Sequence, residues 1–221
     1  MKVIFLDIDG VLNADDDFGG RSKPNPYVTA NNGNVYCGIS ISKVRNLKYI
    51  VDKTNAKIVL VSSWKYDYIE YLKYHLNRVG KYLRNKLKRF DLEIYDTTIK
   101  YDFSHGENRG YEISQWLVDH PEVTKWVVLD DVKFDDYDFL RVTPNLVLTD
   151  PKYGLWRLPA LEAVYKLTGI KDTELSNHEA WMKICTDLIN CAIPDVTDLD
   201  YTVLVPETSA KIIDSEDDND E

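Results

Sequence analysis

The sequence is poor in the residues that build disulfide frameworks and zinc sites. Its three cysteines, Cys37, Cys185 and Cys191, are odd in number and lack the C-x-x-C spacing of metal and redox motifs. Its four histidines are scattered along the chain, without a cysteine or a carboxylate at ligand spacing. We therefore expect neither a disulfide scaffold nor a structural zinc site, and the cysteine usage favours a reducing, cytoplasmic location.

Long apolar runs and a basic excess are absent as well. No run approaches the ~20 residues of a membrane helix, and the apolar start of the chain meets Asp7 too early for a signal peptide. The formal net charge of −10 disfavours a protein that coats DNA by charge alone. Six of the acidic residues lie within positions 214–221, so much of the acidic excess belongs to the C-terminus. The composition predicts a globular protein that needs no membrane partner.

Short apolar runs alternate with helical patterns along the chain. Runs rich in Val, Ile and Leu, without clean alternation, are typical of strands buried on both faces of a parallel sheet. Five such runs span residues 2–8, 57–62, 92–97, 125–129 and 145–149. Helical periodicity follows Ser40 or Ser42, spans 69–90, marks 113–117, and runs from Pro159 to Gly169. Strands that alternate with helices predict an α/β fold with a doubly wound, mainly parallel five-stranded sheet.

The C-terminal part of the chain has a different pattern. Ser176–Glu179 matches a capping box, and an apolar helical face follows it before Pro194. We expect a catalytic α/β domain over 1–170, a helical extension packed on it over 171–206, and an acidic, disordered tail over 207–221.

The first strand ends in two carboxylates. Asp7 and Asp9 alternate along the chain, so both are expected near one site at the carboxyl edge of the sheet, and Gly10 allows a sharp turn there. Two adjacent carboxylates repel each other unless a cation lies between them, which makes Mg²⁺ a natural partner. The alternative is a solvated acidic turn.

Polar residues follow two further strands. Ser62, Ser63 and Lys65 come after the second strand, where a hydroxyl and an ammonium can bind a phosphate. Asp130 and Asp131 come after the fourth, and Arg109 begins the helix before it. Taken singly, the serines could be helix caps and Arg109 a surface residue.

In this order, the four motifs resemble those of the haloacid dehalogenase (HAD) superfamily of phosphotransferases. That superfamily has D-x-D-G after strand one, Ser or Thr after strand two, a cation before strand four and an acidic pair after it. The resemblance covers roughly residues 1–168. Asp9–Asn13 (DGVLN), Ser62–Lys65 (SSWK) and Thr149–Pro151 resemble one branch, the HAD domain of Swiss army knife RNA-repair proteins. Lys65 stands where that branch often has arginine.

The resemblance implies a role for each residue. Asp7 would be the nucleophile that forms an aspartyl-phosphate, and Asp9 would be the general acid and then the base. Ser62 would hydrogen-bond the phosphoryl group and Arg109 would offset its charge, while Gly10, Ser63 and Lys65 would contribute to substrate binding. Mg²⁺ would bind Asp7, the backbone carbonyl of Asp9, and one or both of the acidic pair Asp130 and Asp131.

The substrate is approached through the segments between the motifs. Residues 13–39 are too irregular for a large cap domain, so we expect a minimal cap and an open crevice. Residues 65–89 mix eight lysines and arginines with five tyrosines, a composition suited to a nucleic-acid backbone and its bases, or to a solvated basic helix face.

These observations predict a Mg²⁺-dependent phosphomonoester hydrolase with a phosphorylated substrate. A polynucleotide end is the first candidate, and a nucleotide or another small phosphomonoester is the second. A non-catalytic binding module with the same fold is the alternative from another class. The presence of Asp9 counts against that alternative, because a binding module does not need an acid–base carboxylate.

Overall fold

The five apolar runs form a single sheet in which every neighbouring pair of strands is parallel. The computed structural model describes residues 1–14, 28–29, 33, 35–36, 38–102 and 108–190, without the side chains of 35, 36, 181 and 183–190. Its strands are β1 (Lys2–Leu6), β2 (Val28–Thr29), β3 (Val35–Tyr36), β4 (Lys57–Leu60), β5 (Ile94–Thr97), β6 (Lys125–Asp130) and β7 (Leu146–Leu148). The sheet order is β5-β4-β1-β6-β7. The predicted doubly wound parallel sheet is therefore confirmed.

Helices cover both faces of this sheet. Within the described residues they are α1 (Ile41–Thr54), α2 (Trp64–Tyr74), α3 (Arg78–Lys88), α4 (Arg109–Asp119), α5 (Asp136–Phe139), α6 (Arg157–Thr168) and α7 (Thr173–Asn190). Successive residues of β1 point to opposite faces. Ile4 and Leu6 belong to a core built with α1, α3 and α6, whereas Val3 and Phe5 belong to a core built with α4 and α5.

The helix predicted over 69–90 is two helices. The first ends at His75, which adopts the left-handed conformation, and the second begins after Asn77, whose side chain accepts a hydrogen bond from the backbone of Gly80 at 2.9 Å. Gly80 does not interrupt a helix. It lies where α3 meets α2, since an added Cβ would stand 2.3 Å from the carbonyl oxygen of Asp67. Leucine periodicity continues across the break, which hides it in the sequence.

Two further elements differ from prediction. Residues 13–39 were expected to be irregular, but β2 and β3 pair there as an antiparallel hairpin with Val28 opposite Tyr36. The last helix begins three residues before the capping box, because Asp172 accepts a hydrogen bond from the backbone of Glu174 at 2.9 Å. Ser176 therefore lies inside the first turns of α7.

The unit that carries the sheet spans Met1–Asn177, and a second unit begins at His178. The domain boundaries at 170 and 206 stay predictions, and the predicted tail lies outside the described residues. Among the helices that are described, none is long and apolar enough to cross a membrane.

Candidate active site

The predicted site residues converge at the carboxyl edge of the sheet, around the central strand β1. The chain leaves β1 toward β4 on one side and later returns through β6 on the other. Ligands of open α/β sheets bind where the strand order reverses in this way. Asp7 follows β1 directly, Ser62 lies just beyond β4, and Asp130 ends β6.

Asp7 is a buried carboxylate with two polar partners. One of its oxygens lies 3.0 Å from a guanidinium nitrogen of Arg109, and Ser62 donates a side-chain hydrogen bond to it. Burial raises the pKa of Asp7 to about 7, and the charges of Asp130 and Asp9 raise it further, while Arg109 and Ser62 oppose the shift. A carboxylate in this setting favours a counter-charge over water.

Arg109 connects two of the carboxylates. It is the first residue of α4 and is mostly buried, and the same guanidinium nitrogen that faces Asp7 lies 2.6 Å from Asp130. Its guanidinium group also stands 4.6 Å above the ring of Phe134. The predicted surface-arginine alternative does not apply, because this side chain is part of the site.

Asp130 and Asp131 have different surroundings. Asp130 is fully buried: one oxygen accepts from Arg109 and from the hydroxyl of Tyr137 at 3.0 Å, and the other accepts from the backbone of Val132 at 3.0 Å. Asp131 is half-buried, and burial together with the charge of Asp130 raises its pKa. Tyr137 was missed, since nothing in the sequence distinguishes this tyrosine from the other fourteen.

Gly10 allows the catalytic loop to approach the acidic pair closely. Its φ is +67°, and an added Cβ would stand 2.2 Å from a carboxylate oxygen of Asp131. Thr149, which the sequence did not mark as a site residue, donates its hydroxyl proton to the carbonyl of Gly10 at 2.8 Å. The loop is thereby fixed from the β7 side.

Asp9 is exposed, and its carboxylate lies apart from the acidic cluster. One oxygen accepts from the side-chain amide of Asn13 at 2.8 Å, and the other accepts from the indole of Trp64 at 3.0 Å. Neither partner was predicted. The contribution of the Asp9 backbone carbonyl to metal binding stays a prediction.

Ser63 and Lys65 differ sharply in exposure. Ser63 is an exposed residue immediately before α2. Lys65 is 1% exposed, and its ammonium group lies 2.9 Å from Glu112 and 2.9 Å from Asp102, with the carbonyl of Val61 at 3.5 Å. Three partners match the three donors of an ammonium group. This placement does not support the predicted phosphate contact of Lys65, because sequence spacing gave its position on the helix but not its acceptors.

Three carboxylates could hold a metal ion. Asp7, Asp130 and Asp131 each offer an oxygen, and these oxygens lie within 4.8 Å of one another. The one guanidinium of Arg109 can offset only one of the three negative charges. Oxygen ligands with excess negative charge suit a hard divalent cation such as Mg²⁺. The donor set therefore fits the metal that the motifs imply.

The comparisons with known proteins agree with this site. The family described as "HAD domain in Swiss Army Knife RNA repair proteins" matches residues 3–158, which include every residue of the cluster. No curated protein matches the chain, and no solved structure does. The matched span covers more than two thirds of the sequence and contains the whole five-stranded sheet. The chain therefore belongs to the family of HAD domains found in Swiss Army Knife RNA repair proteins.

Proposed function

We propose that this protein is a Mg²⁺-dependent phosphomonoester hydrolase that acts through an aspartyl-phosphate on Asp7. HAD membership supports a phosphatase-type hydrolase in general. The observation that carries the finer proposal is the buried carboxylate of Asp7, paired with Arg109 and clustered with Asp130 and Asp131 at the crevice. The cytoplasmic location favoured by the cysteine usage belongs to the same proposal.

The reaction proceeds in two displacements at phosphorus. An oxygen of Asp7 attacks the phosphorus, the bond to the leaving oxygen breaks, and that oxygen takes a proton from Asp9. A water molecule then attacks the same phosphorus, the bond to Asp7 breaks, and Asp9 takes the proton of the water. The products are an alcohol and inorganic phosphate, and both carboxylates return to their starting states.

The surrounding residues support these steps. Ser62 and Arg109 already face Asp7, so they are placed to hydrogen-bond and to offset the charge of a phosphoryl group joined to it. Asp7, Asp130 and Asp131 would hold the divalent ion, which supplies charge neutralisation for the phosphoryl oxygens.

The test is a phosphate-release screen with Mg²⁺. Its substrates are nucleotides, 3′- and 5′-phosphorylated oligonucleotides, sugar phosphates and 4-nitrophenyl phosphate. We expect release that EDTA abolishes and Mg²⁺ restores, and that Asp7→Asn removes. A folded wild type without activity on any of them would instead favour the binding-module alternative.

A polynucleotide end is the proposed substrate. The helix pair α2–α3 starts directly after Ser62 and carries exposed cations, and Tyr74 beside them is 64% exposed. The exposed cations are Lys73, Arg78, Lys81, Lys88 and Arg89. Cations with exposed aromatic rings can bind a phosphate backbone and stack bases. The description of the family as part of RNA repair proteins agrees with this substrate class.

Charge reversal tests the proposed substrate with a matched control. The variant Lys73→Glu/Lys81→Glu changes the helix pair, whereas Lys57→Glu/Lys125→Glu changes exposed lysines at the opposite, amino edge of the sheet. Only the first should weaken oligonucleotide hydrolysis, and its salt dependence should become shallower by roughly 0.7 per lost contact. Hydrolysis of 4-nitrophenyl phosphate should not change. Equal effects of both variants would favour a nucleotide or another small phosphomonoester.

A further inference from the structure

The carboxylate of Asp9 is held by two separate donors. The amide of Asn13 donates to one oxygen at 2.8 Å, and the indole N–H of Trp64 donates to the other at 3.0 Å. The last torsion of an aspartate side chain is otherwise broad. Donors on both oxygens fix the plane of the carboxyl group, and each oxygen keeps a second lone pair for proton transfer.

The two donors are themselves immobilised. Trp64 is fully buried in the core between α2 and the sheet, so its N–H cannot follow a moving carboxylate. Asn13 is 3% exposed, and its amide oxygen accepts from the backbone N–H of Gly10 at 2.9 Å, which turns its amino group toward Asp9. Asp9 is exposed, so buried groups hold it on one side while the other side stays open to solvent.

We propose that Trp64 and Asn13 are positioning residues that aim the Asp9 carboxyl group at the leaving oxygen. This inference rests on the proposed function, in which Asp9 transfers the proton. A general acid must lie within hydrogen-bond reach of the atom it protonates. Displacement by about 1 Å can cost roughly 10²-fold in rate. An exposed carboxylate without these donors would sample several orientations, few of them productive.

The leaving group provides a readout that a purely structural role would not change. An alkoxide needs a proton as it departs, whereas 4-nitrophenolate leaves without one. Trp64→Phe keeps most of the aromatic bulk and removes the N–H. It should lower kcat by roughly 10- to 100-fold on the alkyl phosphate that the wild type hydrolyses fastest. On 4-nitrophenyl phosphate, kcat should change less than about threefold, and KM should stay the same for both esters.

Trp116 provides a matched control. It is also fully buried, and its indole N–H donates to a carboxylate, that of Asp96 at 2.7 Å. Trp116→Phe therefore removes the same kind of bond from the same kind of residue on the other core of the sheet. It should lower the free energy of unfolding comparably and leave the alkyl-to-aryl ratio of kcat at the wild-type value.

A double-mutant cycle tests whether Trp64 acts through Asp9. In an Asp9→Asn background, Trp64→Phe should cause no further loss on the alkyl phosphate, because the proton donor is already gone. If Trp64→Phe does not fold, Asn13→Asp takes its place in the cycle. It keeps an acceptor for Gly10 and removes the donor to Asp9.

Three outcomes are distinguishable. Alkyl-selective loss that vanishes in the Asp9→Asn background supports the inference. Equal losses on both esters, no loss, or additive losses overturn it while leaving the phosphatase in place. Full activity of Asp7→Asn, or a wild type without activity, overturns the proposed function and this inference with it.

Discussion

Asp7→Asn is expected to stabilise the metal-free protein at neutral pH while it removes the proposed activity. Asp7 is 4% exposed, and mainly burial raises its pKa from 3.8 to about 7. The unfolded chain releases this proton near pH 3.8, whereas the folded protein retains it until about pH 7. The carboxyl group therefore costs folding stability progressively as the pH rises between these values, and the cost is constant above pH 7. Asparagine does not titrate and avoids this cost.

The magnitude follows from the shift. One pKa unit corresponds to about 1.4 kcal/mol, so the full shift corresponds to about 4 kcal/mol at pH 8 and to roughly 1.5 kcal/mol at pH 5. The difference in unfolding free energy between Asp7→Asn and wild type should therefore grow by roughly 3 kcal/mol from pH 5 to pH 8. The loss of the Arg109 contact adds an offset that does not depend on this titration, so the change with pH is the informative quantity.

The assay is urea denaturation of both proteins in EDTA at several pH values between 5 and 8. Adding Mg²⁺ at pH 8 should stabilise the wild type by mass action and should stabilise Asp7→Asn much less, because one of the proposed ligands is gone. A stability difference that does not change with pH, or that shrinks as the pH rises, would refute the reasoning about buried charge.

Three further substitutions test the packing around the site, each followed by denaturation and by phosphate release. Lys65→Met should cost about 3–5 kcal/mol because it leaves Glu112 buried without its cation, and Lys65→Met/Glu112→Leu should recover most of that loss. Gly10→Ala should cost about 1–2 kcal/mol for its positive φ and reduce activity roughly 10²-fold by displacing Asp131. Gly80→Ala should cost about 1–3 kcal/mol by forcing α3 away from α2, with the catalytic loops unaffected. Wild-type stability in any of the three would contradict the corresponding contact.

The sheet could be predicted because its signal is local. Five uninterrupted apolar runs separated by helical patterns lead directly to a doubly wound sheet, and the acidic and hydroxyl residues that follow the strands must meet at its carboxyl edge. Asp7, Ser62, Arg109 and Asp130 are therefore found together as expected. Gly169 ends α6 in the left-handed conformation, also as the sequence indicates.

The differences arise where tertiary contacts decide the outcome. The split between α2 and α3 depends on the capping side chain of Asn77, and leucine periodicity continues across it. The buried pairing of Lys65 with Glu112 joins residues 47 positions apart, which no spacing rule reveals. Trp64 is apolar enough to be assigned to the core, and it is there, but its single polar atom faces Asp9.

Trapping the covalent intermediate tests the central claim most directly. In Asp9→Asn, 4-nitrophenolate can still depart without a proton, while the base for the second displacement is missing. We predict a burst of 4-nitrophenolate stoichiometric with protein, and a phosphoryl group on the peptide that contains Asp7 after acid quench and mass spectrometry. Phosphate release without such a burst, or a phosphoryl group on a different residue, would contradict Asp7 as the nucleophile.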